Sequence, residues 1–60
     1  MFRVYAFDNT GRECTGPSLL LNDLVEARLR AVAFEQRGLL ARIYSQQSNE
    51  NGDLVEKLVD

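Results

Sequence analysis

The sequence predicts an α+β fold: a single helix packed on a small, mainly antiparallel three- to four-stranded sheet, in the order β(β)αββ. Three observations predict it. Phe2 to Phe7 alternates and is rich in strand formers. One stretch of helical period begins after Asn22 and stops at Gly38. Beyond it, two further strand-like runs flank Asn51-Gly52, a strong hairpin signal.

In the first strand Phe2, Val4 and Ala6 share one face and Arg3, Tyr5 and Phe7 the other, because side chains alternate. Asp8-Asn9-Thr10-Gly11 then reads as a turn, since Asp and Asn bond their own backbone and Gly tolerates positive φ. Arg12 to Thr15 is expected to return briefly as a second strand. Gly16-Pro17 ends that pairing, because Pro has no N–H to donate. The helix is expected to take Asn22 as N-cap, with Asp23 and Glu26 in its first turn near the positive end of the dipole. It should run to Arg37, in the last turn, with Gly38 at C′. Leu39 to Gln46 alternates again, setting Leu39, Ala41 and Ile43 against Leu40, Arg42 and Tyr44.

The polar run from Gln47 to Gly52 is the hairpin loop, and Leu54 to Val59 the last strand, on an edge. That segment has a competing reading. Asp53-Leu54-Val55-Glu56 fits a variant capping box, and Leu54, Val55, Leu58 and Val59 have helical spacing. A terminal helix so short is marginal by itself, which favours the strand. A parallel pairing of the first strand with Leu39 to Gln46 is open too, with the helix as its crossover.

Sixty residues hold one small domain, 1–60, and such a domain buries only about 60% of its unfolded surface. Hydrophobic residues are 45% and charged ones 27%, a globular mixture rather than a disordered one. No apolar run approaches the ~18 residues of a membrane span, and the N-terminus lacks a signal-peptide pattern, so a cytoplasmic, membrane-free protein is expected. There is no His, no Trp and a single cysteine, Cys14. Without His, no Ser-His or Cys-His pair can be assembled, and one thiol without imidazole leaves no structural zinc site. One thiol makes no intrachain disulfide, which also favours an intracellular compartment. Cys14 is read as a small hydrophobe or bystander on a short strand. Asp8 and Glu13 could face each other across the first turn, but no companion marks a substrate pocket. The chain is therefore read as no enzyme, with no cofactor and no metal.

Charge bears on partners. The 7 Lys+Arg stand against 9 Asp+Glu, a net charge of -2, which is not the basic footprint of a nucleic-acid binder. From Glu50 onward Glu50, Asp53, Glu56 and Asp60 meet only Lys57, an acidic end that reads first as a solvated edge and otherwise repels nucleic acid or adds electrostatic complementarity to a basic partner surface. Three motifs resemble chemistry and fall short of it. Gly11 to Ser18 matches a phosphate loop except that Pro17 replaces the lysine that reaches the phosphates. Gln47 to Leu58 mimics a calcium loop but lacks the opening Asp and the closing bidentate Glu. Arg3-Val4-Tyr5-Ala6-Phe7 echoes an RNA-stacking strand, with Val4 in place of Gly.

The surplus of apolar surface is the informative feature. On a wheel at about 100° per residue, Leu24, Ala27, Ala31 and Phe34 form one stripe and Val25, Leu29, Val32 and Ala33 a second. One helix on one sheet needs only one stripe. The second can widen the contact within the chain, with the stem of Arg28 snorkelling between. It can be capped by Leu19, Leu20 and Leu21 folding back, or be buried against another protein. On the sheet, Tyr5, Phe7, Leu40 and Tyr44 are left on the back, where nothing in the chain covers them. Aromatics with Arg are the residue types enriched at interface hot spots.

The resulting expectation is a non-enzymatic protein-interaction module, a homodimer that binds and occludes or bridges a partner protein. Its interface would use Tyr5, Phe7, Leu40, Arg42, Tyr44, Val25, Leu29 and Val32. The alternative is an RNA or single-stranded DNA module stacking bases on Arg3, Tyr5, Phe7, Arg42 and Tyr44. In size and plan the chain resembles the short proteins that phages and mobile elements encode to inhibit host machinery. That likeness spans the whole chain, rests on length and architecture, and implies an inhibitor.

Overall fold

A computed structural model of the chain describes residues 1–16 and 20–59. Pro17 and Ser18 of the loop motif, Leu19 of the expected leucine cap, and Asp60 lie outside the described residues. The elements are β1 (Phe2–Phe7), α1 (Leu24–Gln36), β2 (Leu40–Ser48) and β3 (Leu54–Leu58). The strands form one antiparallel sheet in the order β1-β2-β3, and α1 packs on β1 and β2 but not on β3. The α+β expectation holds, with three strands. No helix among the described residues is long and apolar enough to cross a membrane.

The parallel alternative is overturned, and the segment between β1 and α1 explains why. After Phe7 the chain turns back along the outer edge of β1, touching it at Phe7–Glu13 and again at Phe2–Leu21. The helix therefore starts beside Phe2 and carries the chain to the Phe7 end once more. From there β2 can only run against β1, pairing Leu40 with Phe7 and Ser45 with Phe2.

The return path is not the short strand expected from Arg12 to Thr15. Cys14 N–H donates to the Ala6 carbonyl at 2.7 Å, but the Ala6 N–H donates to the Thr15 hydroxyl at 2.9 Å, so a side chain takes the place of a ladder bond. Gly16, at φ 72, breaks the extended run. At the far end Phe2 and Leu21 exchange both backbone bonds, at 2.7 and 2.8 Å.

Helix α1 starts one residue later than expected. Leu21 is held in its bridge to Phe2, and Asp23 rather than Asn22 is the N-cap, its Oδ1 accepting the Val25 N–H at 2.9 Å. Its negative charge meets the positive end of the helix dipole. At the other end Arg37 is the cap residue, not a member of the last turn. Gly38 takes the left-handed C′ position at φ 83. Its N–H donates to Glu35 O at 2.9 Å and the Leu39 N–H to Phe34 O at 3.1 Å, the two bonds of a Schellman motif.

β2 runs to Ser48, so the expected Gln47–Gly52 loop shrinks to Asn49–Gly52. Gln47 and Ser48 are polar, yet their pairing with Val55 and Leu54 extends the ladder. That ladder also decides the last segment: Leu54–Leu58 is a strand, and the capping-box helix does not form. β2 serves β1 with residues 40–45 and β3 with residues 44–48. Only Tyr44 and Ser45 are paired on both sides, and the hairpin projects beyond the body. The radius of gyration, 12.0 Å, accordingly exceeds the roughly 10 Å of a compact chain this long.

The core lies between helix and sheet: Val4, Leu21, Ala27, Ala31 and Ile43, with Phe2, Leu24, Phe34 and Ala41 packed against it. This is the first helical stripe meeting the first-named sheet face. Leu21 joins that core instead of capping the second stripe, while Leu20 is exposed.

Candidate protein-interaction surfaces

Two surfaces are left uncovered by the described residues. The first is the rear of the sheet. Antiparallel register sets Arg3 opposite Tyr44, Tyr5 opposite Arg42 and Phe7 opposite Leu40. Tyr5 and Tyr44 are diagonal neighbours, and their rings meet edge to face, with centroids 5.3 Å apart and planes at 79°. That arrangement points the positive edge of one ring at the negative face of the other. Pairing of Glu56 with Gln46 places it on the same face, and the Tyr5 hydroxyl donates to both Glu56 oxygens at 3.1 Å. Tyr5, Phe7, Tyr44, Glu13 and Glu56 together line a shallow, open dish of about 270 Å³.

The structure thus brings together three of the residues expected at an interface, Tyr5, Phe7 and Tyr44. The others stand apart from the dish. Leu40 is exposed at the start of β2. Arg42 turns its Nη1 to the Ala41 carbonyl at 3.2 Å. Arg3 is half-buried, and its Nε is enclosed with no hydrogen-bond partner. The charge in the dish comes instead from Glu13 and Glu56, neither of them among the residues expected at the interface. Alternation from Leu54 carried the signal for Glu56, once β3 was a strand with Leu54 on the rear face. Glu13 offered no comparable signal, because it joins the sheet through one isolated bridge.

Of the two readings of Cys14, small hydrophobe or bystander, its exposure fits the bystander. The thiol donates to Asp8 Oδ2 at 3.7 Å and to the Arg12 carbonyl at 3.5 Å. The Asp8 carboxyl is held below the usual aspartate range, first by the Thr10 hydroxyl and then by the backbone N–H groups of Arg12 and Thr10. It is engaged by its own turn. Among the described residues, no three carboxylates or thiols gather as a metal ion would need.

The second surface is the outer side of α1. Val25, Leu29 and Val32 are 63%, 66% and 47% exposed. Their stripe is centred roughly 150° around the helix from the core-facing one. The helix is apolar on two opposed sides, and the two contributions nearly cancel. Beside the stripe, Leu21, Glu26, Leu29, Arg30 and Ala33 line a shallow groove.

No family model, no curated protein and no solved structure matches the chain.

Proposed function

We propose that the chain is a non-catalytic, intracellular protein-interaction module. It pairs with a second copy through the outer side of α1 and presents the rear of the sheet to a partner protein, which it occludes. The observation that carries this reading is the exposed stripe on α1. Val25, Leu29, Val32 and then Gln36 are spaced four, three and four residues apart, the a/d rhythm of paired helices. With two such helices antiparallel, Leu29 packs against Val32 of the other copy. Arg28 then faces Glu35 of the other copy, and the two-fold axis makes that opposite-charge contact twice. The stripe therefore suits a copy of itself.

Magnitudes set the strength of the pair. Burying the remaining exposed area of three aliphatic side chains on each copy yields about 5–10 kcal/mol. Association costs about 4–15 kcal/mol. The difference favours the pair by about 6 kcal/mol at most, a dissociation constant no tighter than roughly tens of micromolar, and the partner protein would add to it. Occluding a partner in this way would make the chain an inhibitor, of the kind phages and mobile elements use.

Sedimentation equilibrium across a wide concentration range tests the pairing. The wild-type chain should approach twice its mass, whereas Arg28→Glu sets Glu against Glu twice and should remain single. Combining Arg28→Glu with Glu35→Arg restores the contact only in an antiparallel pair and should restore the mass. A wild-type chain that stays single at the highest concentration, or a swap that fails to rescue, would sink the pairing. Circular dichroism of each variant controls for folding.

A further inference from the structure

We propose that the dish on the rear of the sheet is a binding site for a cationic side chain, arginine above all, carried by a basic segment of a partner protein. This rests on the reading of the chain as an interaction module and names the chemistry that its rear face takes.

Of the residues lining the dish, Tyr5, Phe7 and Tyr44 are aromatic, Glu13 and Glu56 are carboxylates, and none is basic. The two arginines of the same face, Arg3 and Arg42, do not line it. A cation over an aromatic face is held by the ring quadrupole, more strongly as it loses water. Guanidinium adds two advantages: it is planar and stacks, and its fork of N–H groups matches a carboxylate. The edge-to-face tyrosines give the dish two walls at 79°, so a guanidinium stacked on one ring presents its edge toward the other wall. Glu56 is fixed at the rim by the Tyr5 hydroxyl. A carboxylate has about four acceptor positions and Tyr5 supplies a single proton, so Glu56 keeps the capacity to accept more.

Size and field agree. A volume of about 270 Å³ falls below the roughly 300–1,000 Å³ of small-molecule sites and suits the head of one side chain. The hairpin that carries Glu56 also holds Glu50 and Asp53 against Lys57 among its residues. A phosphate at the same place would meet two carboxylates.

The chain has two tyrosines and no tryptophan, and both tyrosines stand in the dish. Their NMR ring signals therefore report on this site. N-acetyl-arginine amide is titrated into the intact chain beside N-acetyl-citrulline amide, which has the same shape without the charge, and beside the dinucleotide ApA. The arginine probe should shift both tyrosines saturably, with citrulline about tenfold weaker. Glu13→Gln with Glu56→Gln should cost the arginine response about tenfold while the helix signals stay in place. Equal response to arginine and citrulline, or tyrosines that do not move, would overturn the cation site. A stronger response to ApA would overturn it in favour of nucleic acid. A silent dish on a chain that still pairs and still captures a protein through its rear face would remove the site and leave the module. A responsive dish on a chain that never pairs would do the reverse.

Discussion

Asp8 and Asn49 do the same work in two turns distant in sequence. Each accepts, through one side-chain oxygen, the N–H groups two and four residues ahead: Thr10 and Arg12 for Asp8, Asn51 and Asp53 for Asn49. Each is followed three residues on by a glycine at positive φ, Gly11 at 86 and Gly52 at 83. The backbone bonds match as well, Gly11 N–H to Asp8 O at 3.1 Å and Gly52 N–H to Asn49 O at 3.0 Å. Asn51 does not adopt positive φ, so the Asn-Gly pair closes the hairpin by a type I turn and a Gly bulge rather than a two-residue type I′ turn. The turns differ in one physical respect, since Asp8 titrates and Asn49 does not. Bonds from the Thr10 hydroxyl, then from Arg12 and Thr10 backbone, lower the Asp8 carboxyl in the folded chain. Its stabilising contribution is complete above the unfolded aspartate value, about 3.9, and is lost as pH falls through the lower folded value. Asp8→Asn should flatten that part of the acid limb in urea midpoints measured between about pH 5 and pH 2. An unchanged limb would show that Asp8 does not couple to folding.

Among the elements, β3 is the least supported. It pairs with β2 only across Tyr44–Ser48 and has no contact with α1, and Leu54 and Leu58 are exposed. Few apolar contacts and an open outer edge mark a segment that opens well below the global unfolding free energy. Amide exchange should therefore be fastest in β3 among the strands, with β1 and the first half of β2 protected longest. Equal protection of all three strands would contradict this and point to a partner on the β3 edge. Element types were legible where local periodicity is clear, period two in β1 and β2 and period 3.6 in α1; β3 has helical spacing as well, and its ladder with β2 decides it. Element ends were less so. Ser48 has the polarity of a loop residue, yet ladder pairing with Leu54 holds it in β2. Asn22 was as good a cap as Asp23 by residue type, and the Leu21 bridge to Phe2, a contact across the fold, chose between them.

At the scale of the molecule, the buried cluster among the described residues is small, and oligomerisation is one of the means by which small domains add to a thin core. If α1 pairs as proposed, mass action links stability to concentration. Tm should rise with protein concentration in the wild-type chain and become concentration-independent in Leu29→Lys, read by circular dichroism. A wild-type Tm insensitive to concentration would mean that the single copy is self-sufficient. The candidate surfaces were legible to different depths. That Val25, Leu29 and Val32 form a stripe distinct from the core follows from a helical wheel, since one helix rotates all its residues together. That Tyr5 and Tyr44 touch follows only from the register of β1 on β2. The class of the fold, the composition of the core face and the excess of apolar surface can be read from the residues in order, because these depend on period and residue type within one segment. The tertiary structure alone decided that β1 and β2 run antiparallel, that Leu21 closes the core, and that Glu13 and Glu56 frame the tyrosines. Each of these depends on where the chain returns after Phe7, and no local periodicity encodes that path.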